Sequence, residues 1–291
     1  MSCLFESKFA DDHFSHYFNP GQFLSSQKLQ ELHQKILMIN GNAKNPLEHK
    51  LLEDIQNIDE LREQYQSMIV CIINVAGVDS GFLISPILQY NSAHIIHAGL
   101  VLINHNRGTN LLALAGSRTV ALAYQKLGKI YSTNISSTPA IIEAYTKLTA
   151  NCWPTPKSNL IRPPRDYQEV ARILVDRYVK KYFPNSDSVE LDVKRFVIRS
   201  ESRKMGFNTD FRQISRSSSF DYLNFCFTWL DYDKEEDLLQ VGVIDRSLVR
   251  KIQFWRFIYA WRIWKKQFVS RLSVSKPIQE TASISPKEAV K

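Results

Sequence analysis

The run VLINHNRGTNLL, Val101 to Leu112, carries the apolar end of a strand-like segment through a short polar stretch with one glycine and into a helical pattern. Beyond it, Leu112, Ala115, Val120, Ala123 and Leu127 line one face of a predicted helix, and Gly128 stands where a C-cap belongs. A strand that turns straight into a helix leaves several main-chain N–H groups unpaired and converging. Such a turn suits an anion, phosphate above all. Read by itself, HNRGTN also suits an ordinary strand-to-helix turn whose glycine serves geometry alone.

Apolar residues upstream recur at helical spacing over Ser25 to Ile39 and again over Leu47 to Gln66, so two amphipathic helices are expected there. The period then changes. SMIVCIINVAG, SGFLISPILQY and AHIIHAGLVLIN are β-branched and aromatic runs divided by turn residues, which predicts a three-strand antiparallel meander, with a further strand near the N-terminus left unplaced. Downstream, KIYSTNIS predicts a strand and TPAIIEAYTKL a helix, with Thr138 as N-cap and Pro139 in the first turn. Strand, helix, strand, helix in that order implies parallel pairing across the first crossover helix.

The proline-rich segment TANCWPTPKSNLIRPPRD is expected as a surface loop, followed by a helix from Tyr167 to Tyr182. VELDVKRFVIRS, YLNFCFTWL and DLLQVGVI are expected as strands, and RQISRSSSF, residues 212–220, as a mobile loop.

Taken with its neighbours, VLINHNRGTNLL resembles the acyl-CoA loop of the Gcn5-related N-acyltransferases, whose pattern is close to Arg/Gln-x-x-Gly-x-Gly/Ala, often seen as Arg-Gly-x-Gly preceded by an apolar strand. Arg107 and Gly108 fall at the family's Arg-Gly, and Asn110 stands where the family has a second small residue. The likeness spans roughly residues 65 to 150 and implies an α/β fold with a mixed central sheet flanked by helices. It implies acetyl-CoA or another acyl-CoA as cosubstrate and a primary amine as acceptor. Main chain at Leu102, Ile103 and Asn104, opposite Tyr131 to Asn134, would then hold the thioester carbonyl, and Arg107, Gly108, Thr109, Asn110, Leu111 and Leu112 the pyrophosphate. Ser137 and Thr138 occupy the place of a family asparagine that contacts the pantetheine arm. Tyr145 matches a tyrosine that protonates the departing thiolate; as a residue, it equally suits a packed helical aromatic.

Among bases near the expected site, the candidates are His94, His97 and His105; alternate strand residues share a face, and His97 is preferred. Glu143 reads as a solvated surface charge.

Charge is uneven. Residues 246–291 hold eleven Lys and Arg against two Glu, whereas residues 1–245 are nearly balanced, which argues against a nucleic-acid groove across the main domain. The expected organisation is an acyltransferase-like domain over 1–185, a strand-rich extension over 186–245, a basic aromatic helix over 246–272 and a disordered tail over 273–291. That helix alternates Phe254, Trp255, Phe257, Trp261 and Trp264 with arginines and lysines. It suits packing on the domain, a membrane surface or a partner's groove. A second function class is therefore a non-catalytic protein of the same fold that binds through this helix. The four cysteines are far apart, so neither a metal site nor a disulfide frame is expected. The N-terminal residues lack the pattern of a secretory leader, no spanning segment is found, and the cytoplasm is the expected compartment, with peripheral membrane association through 247–272 as a further expectation.

Overall fold

The computed structural model describes residues 3–9, 12–104, 111–157, 162–183, 189–199, 217–258 and 261. The chain divides into two compact units, Met1–Gln253 and Phe254–Lys291. The first is built on a sheet of eleven strands. The expected N-terminal strand is a hairpin, β1 (Leu4–Phe9) and β2 (Asp12–Phe18), antiparallel to each other. After it come α1 (Pro20–Phe23), α2 (Ser26–Gly41) and α3 (Ile58–Gln64). The second expected helix starts later than the pattern predicts. His49 caps a single 3-10 turn, Lys50–Leu52, and the Asn57 side chain then accepts the N–H groups of Asp59 and Glu60, so α3 begins at Ile58.

The meander follows as expected, with β3 (Met68–Val75) antiparallel to β4 (Val78–Tyr90) and β4 antiparallel to both β5 (Ala93–His97) and β6 (Leu100–Ile103). Both faces of β3 and β4 are buried, which explains their unbroken apolar runs. Then come α4 (Leu111–Leu127), β7 (Ile130–Ser136), α5 (Pro139–Lys147) and β8 (Ala150–Trp153). The β5–β7 pair is parallel, as the crossover required. Gly128, at φ +75°, closes α4 by donating its N–H to the Tyr124 carbonyl. The buried face of α4 is turned from the expected one: Leu111, Leu114, Ala115, Leu122 and Ala123 are covered and Leu112 is exposed.

The helix expected from Tyr167 is α6 (Arg165–Leu174), continued by a π-helical turn, Val175–Val179, and α7 (Lys180–Tyr182). Strands β9 (Glu190–Asp192) and β10 (Val197–Arg199) precede α8 (Phe220–Trp229) and β11 (Glu236–Ile244). YLNFCFTWL is helix where a strand was expected: Phe225 and Cys226 are buried with Tyr222 and Trp229 beside them, an i, i+3, i+4, i+7 stripe. Most of the serine-rich stretch 212–220 lies outside the described residues. Its end, Ser217 and Ser218, bonds the Glu143 carboxylate on α5, which also receives Lys147. Glu143 is therefore buried, not a solvated surface charge, and Lys147 and Ser217 together hold its pKa down to about 2.

From the expected extension, β11 runs inside the main sheet, antiparallel to β7 over seven residue pairs. One core cluster lies under α2, α3 and α6, a second under α4, and a third between α5 and α8. Residues 246–253 belong to the first unit and start a helix, 246–258, whose Leu248, Val249 and Ile252 complete the second cluster. In the second unit, residues 254–258 and 261 are described, and Phe254, Phe257 and Trp261 are exposed. The expected tail lies outside the described residues. No described helix is long and apolar enough to cross a membrane.

Glu236 ties β10 and the turn before it to β11. Its fully buried carboxylate takes Nη2 of Arg195 at 3.0 Å, Nη2 of Arg199 at 2.7 Å and the Asp231 N–H at 2.9 Å. Burial pushes its pKa up, but the hydrogen bonds of Arg195, Asp231 and Arg199 outweigh that and leave it below the ordinary carboxylate value. Breaking a buried ion pair costs about 3–5 kcal/mol, and since both arginines are partly open to water, Glu236→Gln is expected to cost about 2 kcal/mol at pH 7. A carboxyl depressed by folding stabilises the fold above its unfolded pKa of about 4.3 and loses that contribution as pH falls. Urea unfolding of wild type and variant should thus differ at pH 7 and converge in acid.

Candidate active site

Strand β5 pairs with β7 for four residues, His94–His97 against Ile130–Thr133, and the Ala98 N–H still donates to the Thr133 carbonyl at 2.8 Å. Past that point the two chains part. Leu100–Ile103 of β6 stays with Gly81–Ile84 of β4, while Asn134–Ser136 of β7 continues beside Leu238–Gln240 of β11. No ladder joins β6 to β7 among the described residues. A V-shaped opening results, with its apex at His97 and Thr133. The stretch flanking it on the β7 side is Asn134–Ser136; Tyr131 to Thr133, expected opposite Leu102 to Asn104, are still paired with Ile95 to His97.

Glycine explains why β6 follows β4. A Cβ at Gly99 would lie 2.5 Å from the Ile84 carbonyl oxygen, and one at Gly81 2.6 Å from that of Leu102. Main chain approaches main chain at both points, and no side chain fits between. The strand therefore breaks at Ala98–Gly99 and leans toward β4, away from β7.

Leu102 and Ile103 are half-buried on β6. Asn104 ends the strand: its N–H donates to the Ser80 carbonyl and its side-chain amide to the Ile39 carbonyl, each at 2.7 Å. His105, Arg107, Gly108, Thr109 and Asn110 lie outside the described residues. Leu111 opens α4 and is buried, and Leu112 is exposed. Strand end and helix start thus stand on either side of the loop as expected. Ser137 and Thr138 form the half-buried turn from β7 into α5. The Ser137 carbonyl accepts the Tyr232 hydroxyl, and Thr138 sits at the N-cap without a side-chain cap bond.

Tyr145 lies under the sheet beside Ser132, one residue before the apex on β7. Its hydroxyl is buried and has no well-formed hydrogen bond among the described residues. Burial first, and the neighbouring Cys152, push its pKa well up, so the phenol keeps its proton at neutral pH. Ser132 is its polar neighbour, and the contact is a loose one.

His97 sits at the apex on the opposite face. Its Nδ1 is 3.1 Å from the Thr133 hydroxyl and its ring centroid 4.9 Å from that of Tyr178. Burial drives its pKa down to about 3, so the ring is neutral at pH 7. His94 is paired with Ile130 at the far end of the parallel ladder, away from the apex.

From the sequence, Asn134 is expected at the opening only as main chain, and Gln240 and Thr146 are not expected there at all. Asn134, the first residue past the apex on β7, donates to Gln240 Oε1 at 3.3 Å, and Gln240 donates to Thr146 Oγ1 and the Pro154 carbonyl. This buried amide pair ties the open edge of β7 to the helix that carries Tyr145. The signal was present: Ser132, Thr133 and Asn134 are three consecutive polar residues in the middle of a strand, all buried. Among the described residues no cluster suits a metal ion.

A mixed sheet whose central parallel pair separates where a strand runs through a loop into a helix is the architecture of the Gcn5-related N-acyltransferase fold. No family model matches the chain, and no curated protein does. Among solved structures, it is similar to a ribosomal-protein-S5-alanine acetyltransferase from Vibrio fischeri, at 11% identity over 83% of this chain and 98% of that one, TM-score 0.36. It is also similar to a chimeric spermidine N-acetyltransferase from Vibrio cholerae, at 18% identity over 42% and 74%, TM-score 0.28. An uncharacterized protein from Bacillus halodurans shares 12% identity over 52% and 81%, TM-score 0.33. The fold is defined here by strand order and by the parting of β6 from β7.

Proposed function

We propose that the protein is an acyl-CoA-dependent N-acyltransferase that moves an acyl group, acetyl in the simplest case, to a primary amine. The separation of β6 and β7 beyond His97 and Thr133 carries this reading, because it opens unpaired main chain in mid-sheet, next to a strand-to-helix turn suited to phosphate. Arg107, Gly108, Thr109, Asn110, Leu111 and Leu112 are assigned to the pyrophosphate, and Ser137 and Thr138 to the pantetheine; of the expected Leu102 to Asn104 stretch, main chain of Leu102 and Ile103 is assigned to the thioester arm, because the Asn104 N–H is already given to Ser80.

In the reaction the amine nitrogen forms a bond to the thioester carbon, the carbon–sulfur bond breaks, the amine loses a proton and the thiolate gains one. Tyr145 is the acid. A thiol has an ordinary pKa of about 8.5, so a buried phenol that stays protonated at pH 7 has a proton to give the nascent thiolate. His97, neutral and held through Nδ1 by Thr133, is assigned to receive the amine proton. Its low basicity makes it a transient carrier that passes the proton on.

Acetyl-CoA at about 100 times its dissociation constant should stabilise the folded chain by roughly 2.7 kcal/mol, measured as a rise in unfolding midpoint. No shift at millimolar ligand would falsify the transferase reading.

A further inference from the structure

The helix over residues 246–258 has its rotation set where it begins. Asp245 caps it, with its carboxylate accepting the Leu248 N–H at 2.8 Å and its carbonyl the Val249 N–H at 3.0 Å. Leu248, Val249 and Ile252 are then buried in the cluster under α4. On the face away from them, Arg246, Arg250, Phe254 and Phe257 follow one another at i, i+4, i+8 and i+11, and Trp261 stands at the next place in that spacing. Each of these is exposed, Phe254 by 66% and Phe257 by 64%. Single exposed apolar residues are ordinary on a protein surface, whereas a row of aromatic rings at helical spacing marks a face that something covers.

Charge says what covers it. Arg246, Arg250 and Lys251 are exposed and have no ion-pair partner among the described residues. After Asp245 no acidic residue occurs before Glu280, and residues 246–272 carry eight Lys and Arg. The complement of such a face is a negatively charged surface with an apolar layer just beneath it, where bases meet phosphate and rings sit at headgroup depth. A protein groove that encloses a helix needs access from all sides, and the first turns of this one are closed along Leu248, Val249 and Ile252. A nucleic-acid backbone would satisfy the arginines but leave Phe254 and Phe257 in water. A flat surface needs one open face only.

We propose that Arg246, Arg250, Phe254 and Phe257 form a docking face for an anionic lipid surface, the guanidinium groups lying on lipid phosphates and the rings inserted beside them. This inference stands apart from the transferase reading.

The test is sedimentation of the full chain with vesicles of phosphatidylcholine alone and with vesicles of equal parts phosphatidylcholine and phosphatidylserine. The chain should pellet with the mixed vesicles and stay in solution with the neutral ones, and about 1 M salt should weaken the binding. Phe254→Ser combined with Phe257→Ser should weaken it at least tenfold, and Arg246→Gln combined with Arg250→Gln about fivefold for each base. All four side chains are exposed, so neither pair should move the unfolding midpoint. Phe220→Ser removes a ring that is exposed on α8 and should bind as wild type does. Equal binding to neutral vesicles, phenylalanine variants that bind as tightly as wild type, or a loss as large in Phe220→Ser overturns the proposal. So does the absence of binding to mixed vesicles, and if the chain then retains duplex DNA, the arginines serve nucleic acid instead.

Discussion

Tyr145→Phe should lower acetyl transfer about a hundredfold and at the same time raise the unfolding midpoint. The two effects have one cause. The Tyr145 hydroxyl is buried with no well-formed partner among the described residues, and a polar group so placed costs about 1–3 kcal/mol, which phenylalanine removes without leaving a cavity. A side chain kept only for packing would gain from that change and lose nothing. General acid catalysis contributes about 10²–10⁴ in rate, so an acid at this position is lost when the oxygen is lost. Thiol release from acetyl-CoA with an accepted amine reads the first effect, and a thermal melt without ligand reads the second. If Tyr145→Phe is more stable and equally active, Tyr145 is not the acid.

Gly99→Ala should destabilise the chain by about 1–3 kcal/mol and abolish the acetyl-CoA shift, although it adds a single methyl group. That methyl would stand 2.5 Å from the Ile84 carbonyl oxygen, 3.0 Å from Pro86 Cδ and 3.2 Å from the Tyr178 hydroxyl. Two of the three neighbours cannot swing aside, so β6 must move off β4, toward the opening. Gly116→Ala is the control: it lies within α4 with nothing within 4 Å of the added carbon, and it should stabilise by up to about 1 kcal/mol through helix propensity. Chemical denaturation of both variants, with and without acetyl-CoA, separates the outcomes. A Gly99→Ala protein that keeps its ligand shift would mean that the strand break does not set the opening.

Much of the fold was legible because its signals are local. The meander showed as apolar runs between turn residues, α4 ended where Gly128 permits a left-handed residue, and the strand, helix, strand order required the parallel pair that β5 and β7 form. Where the reading differed, a long-range partner decided. Aromatic residues favour strands, yet α8 is a helix because Tyr222, Phe225, Cys226 and Trp229 make one stripe against α5 and β11. Glu143 became a buried anchor because Ser217 and Ser218, more than seventy residues away, fold onto it.

For the site, the amino-acid order determined that a strand would reach Asn104, that a helix would follow, and that Tyr145 would stand seven residues past Thr138. Spacing along a chain fixes such things through backbone geometry alone. Only the folded sheet decided where the strands part, which histidines meet Tyr178, and which polar atoms are left without partners. Those depend on contacts between segments remote in sequence, made at Gly81 and Gly99 where main chain presses on main chain, and no local pattern encodes a distance across the sheet.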